Sequence, residues 1–424
     1  MDGRARAKGR CPGAEVGADA RERKVCRREE RGYTVRGAMK SPAKLRSALK
    51  RALLAWYGRG GNGGRPARAA RDLPWRRTSD PYAIWVSETM LQQTRAATVV
   101  PYWERFLREL PTVQTLAEAA ESQVLALWSG LGYYRRARML HAAARRVVAL
   151  HGGGLPRDRE ALSSLEGVGA YTVGAIASIA FKERVAAVDG NVSRVLARIA
   201  AIEDDVTSAR GKALVQAEAD ALAAIDEGDP GDWTQALMEL GALVCAPRQP
   251  RCGSCPARAW CRAFARGGVD YASTLPRKAP KREKAVVERV AIVLHTGTAV
   301  VLARRRALTL YGGLWEVPTA PRSAKRRLAK GLGVNLTALD VAGEVVHILS
   351  HRRMHVQVLR GSVSPQCLAK CRPAEDRLAD GVEAVGAEYD ALDLVPYGDL
   401  PTRAHASLTR KVLDVANLHR EPLF

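Results

Sequence analysis

Four cysteines that lie close together constrain the possible structure of this chain more than any other feature of its sequence. They are Cys245, Cys252, Cys255 and Cys261, with the spacing C-x6-C-x2-C-x5-C. Thiolates at such spacing can converge on one soft metal centre, and a 4Fe-4S cluster accepts four of them from loops of uneven length. A structural zinc site is the alternative, but it usually carries two Cys-x2-Cys pairs, and only one is present. The spacing therefore favours a 4Fe-4S cluster over zinc.

The net charge narrows the class of partner. The 424 residues carry a formal net charge of +23, which is typical of a protein that binds a polyanion, most simply nucleic acid. A basic protein from an arginine-rich proteome would show the same charge. No apolar run reaches the roughly 18 residues that a membrane-spanning helix needs, so we expect no membrane partner. A clustered thiolate site indicates a reducing compartment.

Periodicity divides the chain into four parts. Residues 1–40 hold twelve Lys or Arg and six Asp or Glu with little pattern, and we interpret them as a disordered basic tail. Residues 41–266 show helical spacing and predict an all-α domain that contains the cysteine loop. The basic stretch 267–287 is interpreted as a linker. Residues 288–424 predict a smaller α+β domain, so the chain as a whole should be mainly α. The expected strands include Val290–Leu294, Ala299–Ala303 and His355–Leu359, and the expected helices Ser323–Gly331 and Ala404–Ala416.

A short glycine pattern lies between two helical stretches. Leu165–Gly169 reads LEGVG, and its two glycines permit a tight turn with positive φ and close approach of another backbone. The N–H groups that begin the following helix can then hold a DNA phosphate, as in a helix-hairpin-helix, without reading bases. An ordinary corner between helices is the alternative, because this pattern alone is weak. The cysteine loop and the net charge favour DNA.

Two carboxylates are candidate catalytic groups. Glu88 lies at helical spacing from Ile84 and Leu91, so burial should raise its pKa and make it a general acid; otherwise it is a solvated rim glutamate. Asp189 opens the sequence Asp-Gly-Asn before another helix, where a plain N-cap is the alternative. A proton donor and an anion that stabilises a cationic sugar together fit glycosidic cleavage through an oxocarbenium-like transition state.

Residues 42–265 resemble the helix-hairpin-helix, iron–sulfur DNA glycosylases, and among them the MutY-type adenine DNA glycosylases. Six strings in order carry the resemblance: LPWR (73–76), WVSETMLQQT (85–94), GLGYYRRAR (130–138), LEGVGAYTVGAIASIAF (165–181), VDGNVSRVLAR (188–198) and the four-cysteine loop. The resemblance implies an enzyme that flips adenine out of double-stranded DNA and excises it when it is mispaired with 8-oxoguanine, or less efficiently with guanine.

The position that follows the hairpin distinguishes two branches of this superfamily. Endonuclease III is similar in fold and cluster but places a lysine nucleophile there. This chain has Tyr171, which cannot form the Schiff base that efficient strand cleavage requires. The resemblance therefore implies a monofunctional glycosylase with weak or absent lyase activity.

The resemblance also implies roles for single residues. Glu88 would protonate N7 of adenine, and Asp189 would stabilise or briefly capture the oxocarbenium ion before water attacks C1′. Tyr171 and Asn191 would position these groups around the sugar. The remaining implied residues would line the adenine pocket (Trp75, Arg76 and Gln235) or contact DNA and the opposite base (Leu91, Gln93, Thr94, Tyr133, Gly167 and Gly169). For the Leu-Gln-Gln-Thr string, plain helix surface is the alternative.

The second half resembles the Nudix-like domain of the same family. Gly312–Pro318 (GGLWEVP) matches the lead-in to the Nudix signature. Arg327, Lys330 and Gly331 then stand where a Nudix hydrolase has its three metal-binding glutamates. Hard cations need such carboxylates, so nucleotide hydrolysis is not expected.

The segment His347–His351 resembles the loop with which the family verifies 8-oxoguanine. Ser350 and His351 would contact the lesion, and Leu349 stands where phenylalanine is usual. Without the resemblance, the histidines here would be interpreted as a polar strand end.

Two other classes of function remain open. One is a bifunctional lyase that acts on oxidised pyrimidines, against which Tyr171 argues. The other is a DNA-binding protein without activity, against which Glu88 and Asp189 argue because both lie in intact motifs. We expect a monomer. If the source is bacterial, the expected location is the cytoplasm (nucleoid), and a nucleus or organelle is the alternative, because no targeting signal is clear.

Overall fold

The structure of the protein is a computed structural model that describes residues 42–58, 71–279, 283–306, 309–349, 351–364 and 388–418. The predicted tail 1–40 and Ser350 lie outside these residues. From Arg46 onward the chain forms one compact unit. Of the preceding residues only 42–45 are described, and they lie in the first turns of a helix.

The first half is helical, which confirms the all-α prediction. Its helices are α1 (Pro42–Gly58), α2 (Pro81–Leu91), α3 (Ala96–Glu109), α4 (Val113–Glu118), α5 (Glu121–Leu127), α6 (Arg135–His151), α7 (Arg159–Ser163), α8 (Ala170–Ile179), α9 (Gly190–Ala200), α10 (Ala209–Ala223), α11 (Pro230–Leu243) and α12 (Arg262–Thr274). Asp80 caps α2 by accepting bonds from the N–H groups of Tyr82 and Ala83, and Pro81 takes the first helical position. No described helix has both the length and the apolar character needed to cross a bilayer.

Burial of α2 brings its polar residues into the interior. Every residue of α2 from Tyr82 to Met90 is buried, including Glu88. One apolar cluster forms around Trp85, Phe106 and Trp128, none of which is more than 1% exposed. A second cluster gathers α1, α9, α10 and α11. The catalytic candidate on α2 therefore lies among core side chains rather than on a rim.

Helix α12 crosses residue 266, where we expected the helical domain to end. It continues to Thr274, and Gly267 and Gly268 interrupt its helical geometry. The first part of the expected linker is therefore helical. The next element begins at Ala285, before the expected start of the second domain at residue 288.

The second half is a mixed sheet with a helix on each face, which confirms the α+β prediction. Its elements are β1 (Ala285–His295), β2 (Ala299–Arg305), β3 (Trp315–Glu316), β4 (Thr319–Pro321), α13 (Lys325–Gly331), β5 (Asp340–Ile348), β6 (Arg352–Ser362), β7 (Tyr389–Pro396) and α14 (Ser407–Val415). The main strand order is β3-β2-β1-β6-β5, with β4 paired to β1 and β7 to β2. Alternate residues of β1 face α13 on one side and α14 on the other.

The sheet domain is anchored to the helical domain near α6. The Tyr134 hydroxyl donates a hydrogen bond to the main-chain oxygen of His405 at 2.5 Å. Arg138 donates to the main-chain oxygen of Gly312. Leu314 and Ala404 join the apolar cluster around Trp128. These contacts combine polar and apolar groups, so the two domains share part of one core.

Candidate active site

A cavity of about 550 Å³ opens between the helices that carry the predicted catalytic residues. Such a volume lies within the usual range for a small-molecule site. The predicted residues that line it are Trp75, Arg76, Glu88, Leu91, Gln93, Thr94, Tyr171, Asp189, Asn191 and Gln235. They come from α2 and the loop after it, from α8, from α9 and its N-cap, from α11, and from the 3-10 turn Pro74–Arg76. The fold therefore brings together most of the residues that the sequence singled out.

Glu88 is a buried acid with a neighbouring hydroxyl. It is 4% exposed. Burial raises the pKa of Glu88 to about 7, the hydrogen bond from Tyr171 limits that rise, and the charge of Asp189 adds to it. The Tyr171 hydroxyl donates to Glu88 Oε2 at 2.5 Å, and burial beside this carboxyl group raises the pKa of Tyr171. A carboxyl group with a pKa near 7 can hold and deliver a proton at neutral pH.

Asp189 caps α9, which confirms the N-cap interpretation, and it also lines the cavity. Its Oδ1 accepts bonds from the N–H groups of Asn191 at 2.9 Å and Val192 at 2.7 Å. Its Oδ2 accepts from the Asn191 side-chain amide at 3.0 Å, and Arg194 donates in turn to Asn191 Oδ1. Three donors fix the orientation of this carboxylate toward the cavity.

The sequence reasoning missed Glu239, which organises the predicted adenine pocket. Its side chain is fully buried, and Oε2 accepts from Arg76 Nη2 at 2.6 Å and from Arg71 Nη2 at 2.8 Å. Burial alone would raise its pKa, but hydrogen bonds from Arg71 and Arg76 lower the pKa of Glu239 to about 2. Glu239 lies four residues after Gln235 on α11, so helical spacing was the signal that could have identified it.

Aromatic contacts hold the other walls of the pocket. Trp75 is 6% exposed and meets Trp103 edge to face, with ring centroids 6.0 Å apart. The Arg76 guanidinium lies 5.7 Å from the centre of the Tyr57 ring. The Tyr57 hydroxyl donates to Gln235 Oε1 at 3.3 Å. Because each predicted pocket residue contacts a neighbouring aromatic side chain, its own side chain is oriented before any ligand arrives.

The predicted DNA-contacting residues occupy two loops and the hairpin. Leu91 ends α2, Gln93 and Thr94 follow it, and all three line the cavity. Tyr133 lies outside this lining and is 47% exposed. Both Gln93 and Tyr133 have positive φ, at 60° and 50°. Their side chains are therefore presented by loops of unusual backbone conformation.

The hairpin joins α7 to α8 as the sequence predicted. Gly167 has φ of 80°, and a Cβ there would lie 2.9 Å from Met139 Cβ. Both observations require glycine at this position. Gly169 precedes α8 and supplies no side-chain cap, so the first N–H groups of the helix stay available to an anion.

The four cysteines line one apolar cavity beside α9. No carboxylate or imidazole shares its lining. Burial raises the pKa of the Cys255 thiol to about 11, and the other three thiols add to the effect. Arg198 Nη1 donates to Cys245 Sγ at 3.3 Å. Within the described residues no three metal-binding side chains are placed to hold a single ion. A 4Fe-4S cube takes one thiolate at each of four separate corners, so an all-thiol set spread around one cavity fits it.

None of the described residues of the predicted lesion-reading loop lines the cavity that contains Glu88. Ser350 lies outside the described residues, and His351 is exposed between β5 and β6. Arg352 Nε donates to His351 Nε2 at 2.6 Å. The neighbouring His347 is buried, with its Nε2 atom 3.0 Å from the Tyr311 hydroxyl. The loop therefore begins from an anchored strand end and presents His351 to solvent.

Known proteins resemble this chain in both halves. The family model of the HhH-GPD superfamily base excision DNA repair proteins matches residues 86–218, and that of the NUDIX domain matches residues 289–415. The adenine DNA glycosylase of Rattus norvegicus is 38% identical over 74% of this chain and 70% of its own length. That of Homo sapiens is 36% identical over 82% of this chain and 72% of its own length. Among solved structures, a thermostable thymine-DNA glycosylase is 29% identical with a TM-score of 0.46, covering 54% of this chain and all of that one.

Proposed function

Because the chain belongs to the adenine DNA glycosylases, enzymes of base-excision repair that act on DNA, we propose that it excises adenine paired with 8-oxoguanine and, less efficiently, with guanine. One observation carries the chemical part of the proposal. A buried carboxyl group with a pKa near 7, Glu88, lies in one cavity with a second carboxylate, Asp189. Acid and anion in one site are what cleavage of an N-glycosidic bond through an oxocarbenium-like transition state requires.

The reaction begins with protonation of the base. The adenine, flipped out of the duplex, takes a proton on N7 from Glu88, which makes the base a better leaving group. As the glycosidic bond breaks, the charge on Asp189 stabilises the oxocarbenium ion or captures it briefly. Asn191 and Tyr171 hold the two carboxyl groups in place through the bonds described above. Water then attacks C1′ and gives its proton to the Glu88 carboxylate left by the first step, which restores the acid.

The adenine is held by a pocket in the same cavity. Trp75 supplies an apolar wall, and Arg76 and Gln235 supply polar contacts to the base. Glu239 keeps the Arg76 guanidinium in one orientation, which supports recognition because a rigid donor loses less entropy on binding.

Two loops and the hairpin hold the DNA. Gln93 and Leu91, together with Tyr133, wedge into the base stack and hold the opposite base, and Thr94 contacts the strand. The N–H groups that follow Gly167 and Gly169 bind a phosphate. Support comes from the exposure of Gln93 and Tyr133 and from the uncapped start of α8.

The enzyme is monofunctional in this proposal. Schiff-base chemistry needs an amine within reach of C1′, and the described lining of the cavity contains arginines but no lysine. Tyr171 occupies the position at which a lyase of this superfamily would carry its lysine, and its hydroxyl is already bonded to Glu88.

The sheet domain reads the opposite base rather than hydrolysing nucleotides. Arg327 and Lys330 are exposed on α13, where a Nudix hydrolase would have metal-binding glutamates. Ser350 and His351 contact 8-oxoguanine, and this role is supported by the exposure of His351 at the end of an anchored strand.

The cysteine loop holds a 4Fe-4S cluster through Cys245, Cys252, Cys255 and Cys261. Four thiols around one apolar cavity, with Arg198 near Cys245 Sγ, support this assignment. When bound, the cluster ties the ends of a basic loop together. Base removal itself is carried out by the side chains of the large cavity.

Substitution of Glu88 tests the catalytic assignment. Glu88→Gln keeps the size of the side chain but cannot deliver a proton, so excision should fall below detection while the affinity for duplex DNA is retained. Single-turnover excision and a binding titration on the same preparation separate the two effects. Turnover retained in this variant would contradict the role of Glu88.

A further inference from the structure

One buried guanidinium caps the end of the helix that carries Glu88. Arg136, in the first turn of α6, is 9% exposed. Its Nη1 donates to the main-chain oxygens of Thr89 at 2.8 Å, Met90 at 2.8 Å and Gln92 at 2.6 Å. The C-terminus of a helix leaves such oxygens without partners and carries a partial negative charge. A cation there fixes the point at which α2 turns into the loop that contains Gln93.

The other nitrogen of the same guanidinium reaches a second loop. Arg136 Nη2 donates to Thr94 Oγ1 at 3.2 Å and to the main-chain oxygen of Gly132 at 3.2 Å. The guanidinium carbon also lies 5.4 Å from the ring centres of both Trp128 and Tyr133. One side chain therefore contacts the loop after α2 and the loop before α6 at the same time.

The residues at the tips of these two loops have strained backbones. Gln93 has φ of 60° and Tyr133 has φ of 50°, a region that residues other than glycine rarely adopt. Both side chains are exposed. Such conformations persist only where the surroundings fix them, and they concentrate at functional sites. Arg136 is bonded to the main chain on one side of each tip, at Gln92 and at Gly132.

We propose that Arg136 is a positioning residue that sets the spacing of Gln93 and Tyr133 before DNA binds, so that both side chains enter the base stack together as adenine leaves it. The inference rests on the proposed function, since it takes Gln93 and Tyr133 as wedge residues. Arg136 acts through the loops and not on DNA, because it is buried and its terminal nitrogens are bonded to protein oxygens. Its planar group places two separate nitrogens on the two loops, whereas all three donors of a lysine ammonium lie on one nitrogen.

Arg136→Lys tests the proposal because it keeps the positive charge and most of the stem. Arg135→Lys is the matched control, since Arg135 is the exposed neighbour on the same helix. Both are made in a Glu88→Gln background, with 2-aminopurine in place of the target adenine opposite 8-oxoguanine. The rate of fluorescence increase as this base leaves the stack should fall at least about ten-fold in Arg136→Lys and stay unchanged in Arg135→Lys.

A second readout separates positioning from a general loss of structure. With Glu88 restored, Arg136→Lys should keep the wild-type pH midpoint of excision, because the acid and its contacts are intact. A flipping rate equal to that of wild type in Arg136→Lys would overturn the proposal. If the lysine variant does not fold, Thr94→Val, which removes one bond to Arg136, is measured for both flipping rate and affinity for the duplex. Slower flipping with unchanged affinity is expected. An unchanged flipping rate, or a loss of affinity that accounts for the slower flipping, overturns the proposal.

Excision by the wild-type protein separates a failure of this proposal from a failure of the proposed function. Failure of the wild-type protein to excise adenine opposite 8-oxoguanine would refute the proposed function itself. Normal excision by wild type, together with a normal rate of base flipping in Arg136→Lys, would refute only the proposed role of Arg136.

Discussion

Replacing Tyr171 by phenylalanine is expected to move the pH dependence of adenine excision toward higher pH. Burial raises the pKa of Glu88 to about 7, and the bond from the Tyr171 hydroxyl at 2.5 Å limits that rise. Without the hydroxyl, the ionised form of Glu88 loses a donor while the burial stays the same. The pKa of Glu88 should therefore rise further, and the acid should stay protonated to higher pH.

The size of the shift follows from the strength of that bond. A hydrogen bond to a charged group contributes about 1.5–3 kcal/mol. The protonated form of Glu88 also keeps part of this bond energy, so only the difference between the two forms shifts the pKa. We therefore expect the pH midpoint to shift by about one unit. The wild-type rate should fall to half of its low-pH plateau near pH 7. At about pH 8 the protonated fraction should then rise about five-fold in the variant, from roughly one tenth to one half.

Single-turnover excision across a pH series, normalised to the low-pH plateau of each protein, measures this midpoint. Tyr271→Phe is the matched control, because Tyr271 also donates its hydroxyl to a carboxylate, Glu203, but outside the cavity. Its midpoint should coincide with that of wild type. A midpoint in Tyr171→Phe that is unchanged or lower would refute the assignment of Glu88 as the titrating acid.

Three further outcomes are expected from substitutions. Glu88→Gln should raise the free energy of unfolding by up to about 3 kcal/mol at about pH 8 and leave it unchanged at about pH 4. Because the pKa of Glu88 is raised to about 7 in the folded protein, ionisation of this group lowers the stability of the wild-type protein progressively as the pH rises from 4.5 through 7. Thermal melts in which Glu88→Gln has the same effect at both pH values would argue against the burial of Glu88. Glu239→Gln should lower kcat/KM about ten-fold without moving the pH midpoint, because Arg76 loses its charged partner; unaltered steady-state kinetics would count against that contact. Ser350→Ala combined with His351→Ala should narrow the ratio of excision rates opposite 8-oxoguanine and guanine, and an unchanged ratio would exclude lesion reading by this loop.

Helices with strong end signals could be predicted closely from the sequence. The pair Asp80-Pro81 is a local signal for the start of a helix, and the structure begins α2 at Pro81 with Asp80 as its cap. The expected helix at Ala404–Ala416 is shorter, Ser407–Val415, because the residues before it join the sheet and the helical core instead. Ends that depend on tertiary contacts carry no local signal.

Strand β5 shows why part of the sheet could not be predicted. In Asp340–Ile348 the inward positions include Val345 and His347, whereas Val346 and Ile348 are 50% and 56% exposed. Apolar residues therefore occupy both faces, and a buried face carries a histidine. Alternation of polarity, the usual signal of a strand, is lost in such a segment.

The candidate site was predictable only in part for a related reason. Glu88 and Asp189 lie in strings that mark catalysis, but Glu239 and Arg136 act through tertiary contacts. The partners of Arg136 are mostly main-chain oxygens, which every sequence has, so no pattern of residue types records them. The spacing of Glu239 from Gln235 places both on one face of α11, but the bonds of Glu239 to Arg71 and Arg76 are tertiary contacts that this spacing does not reveal.

Excision from defined mispairs tests the central claim most directly. The purified, cluster-loaded protein is incubated with duplexes that carry adenine opposite 8-oxoguanine, guanine or thymine, and products are separated with and without alkali. We expect cleavage at the adenine that depends on alkali and is fastest opposite 8-oxoguanine. Cleavage without alkali, or no preference for 8-oxoguanine, would contradict a monofunctional, lesion-directed adenine glycosylase.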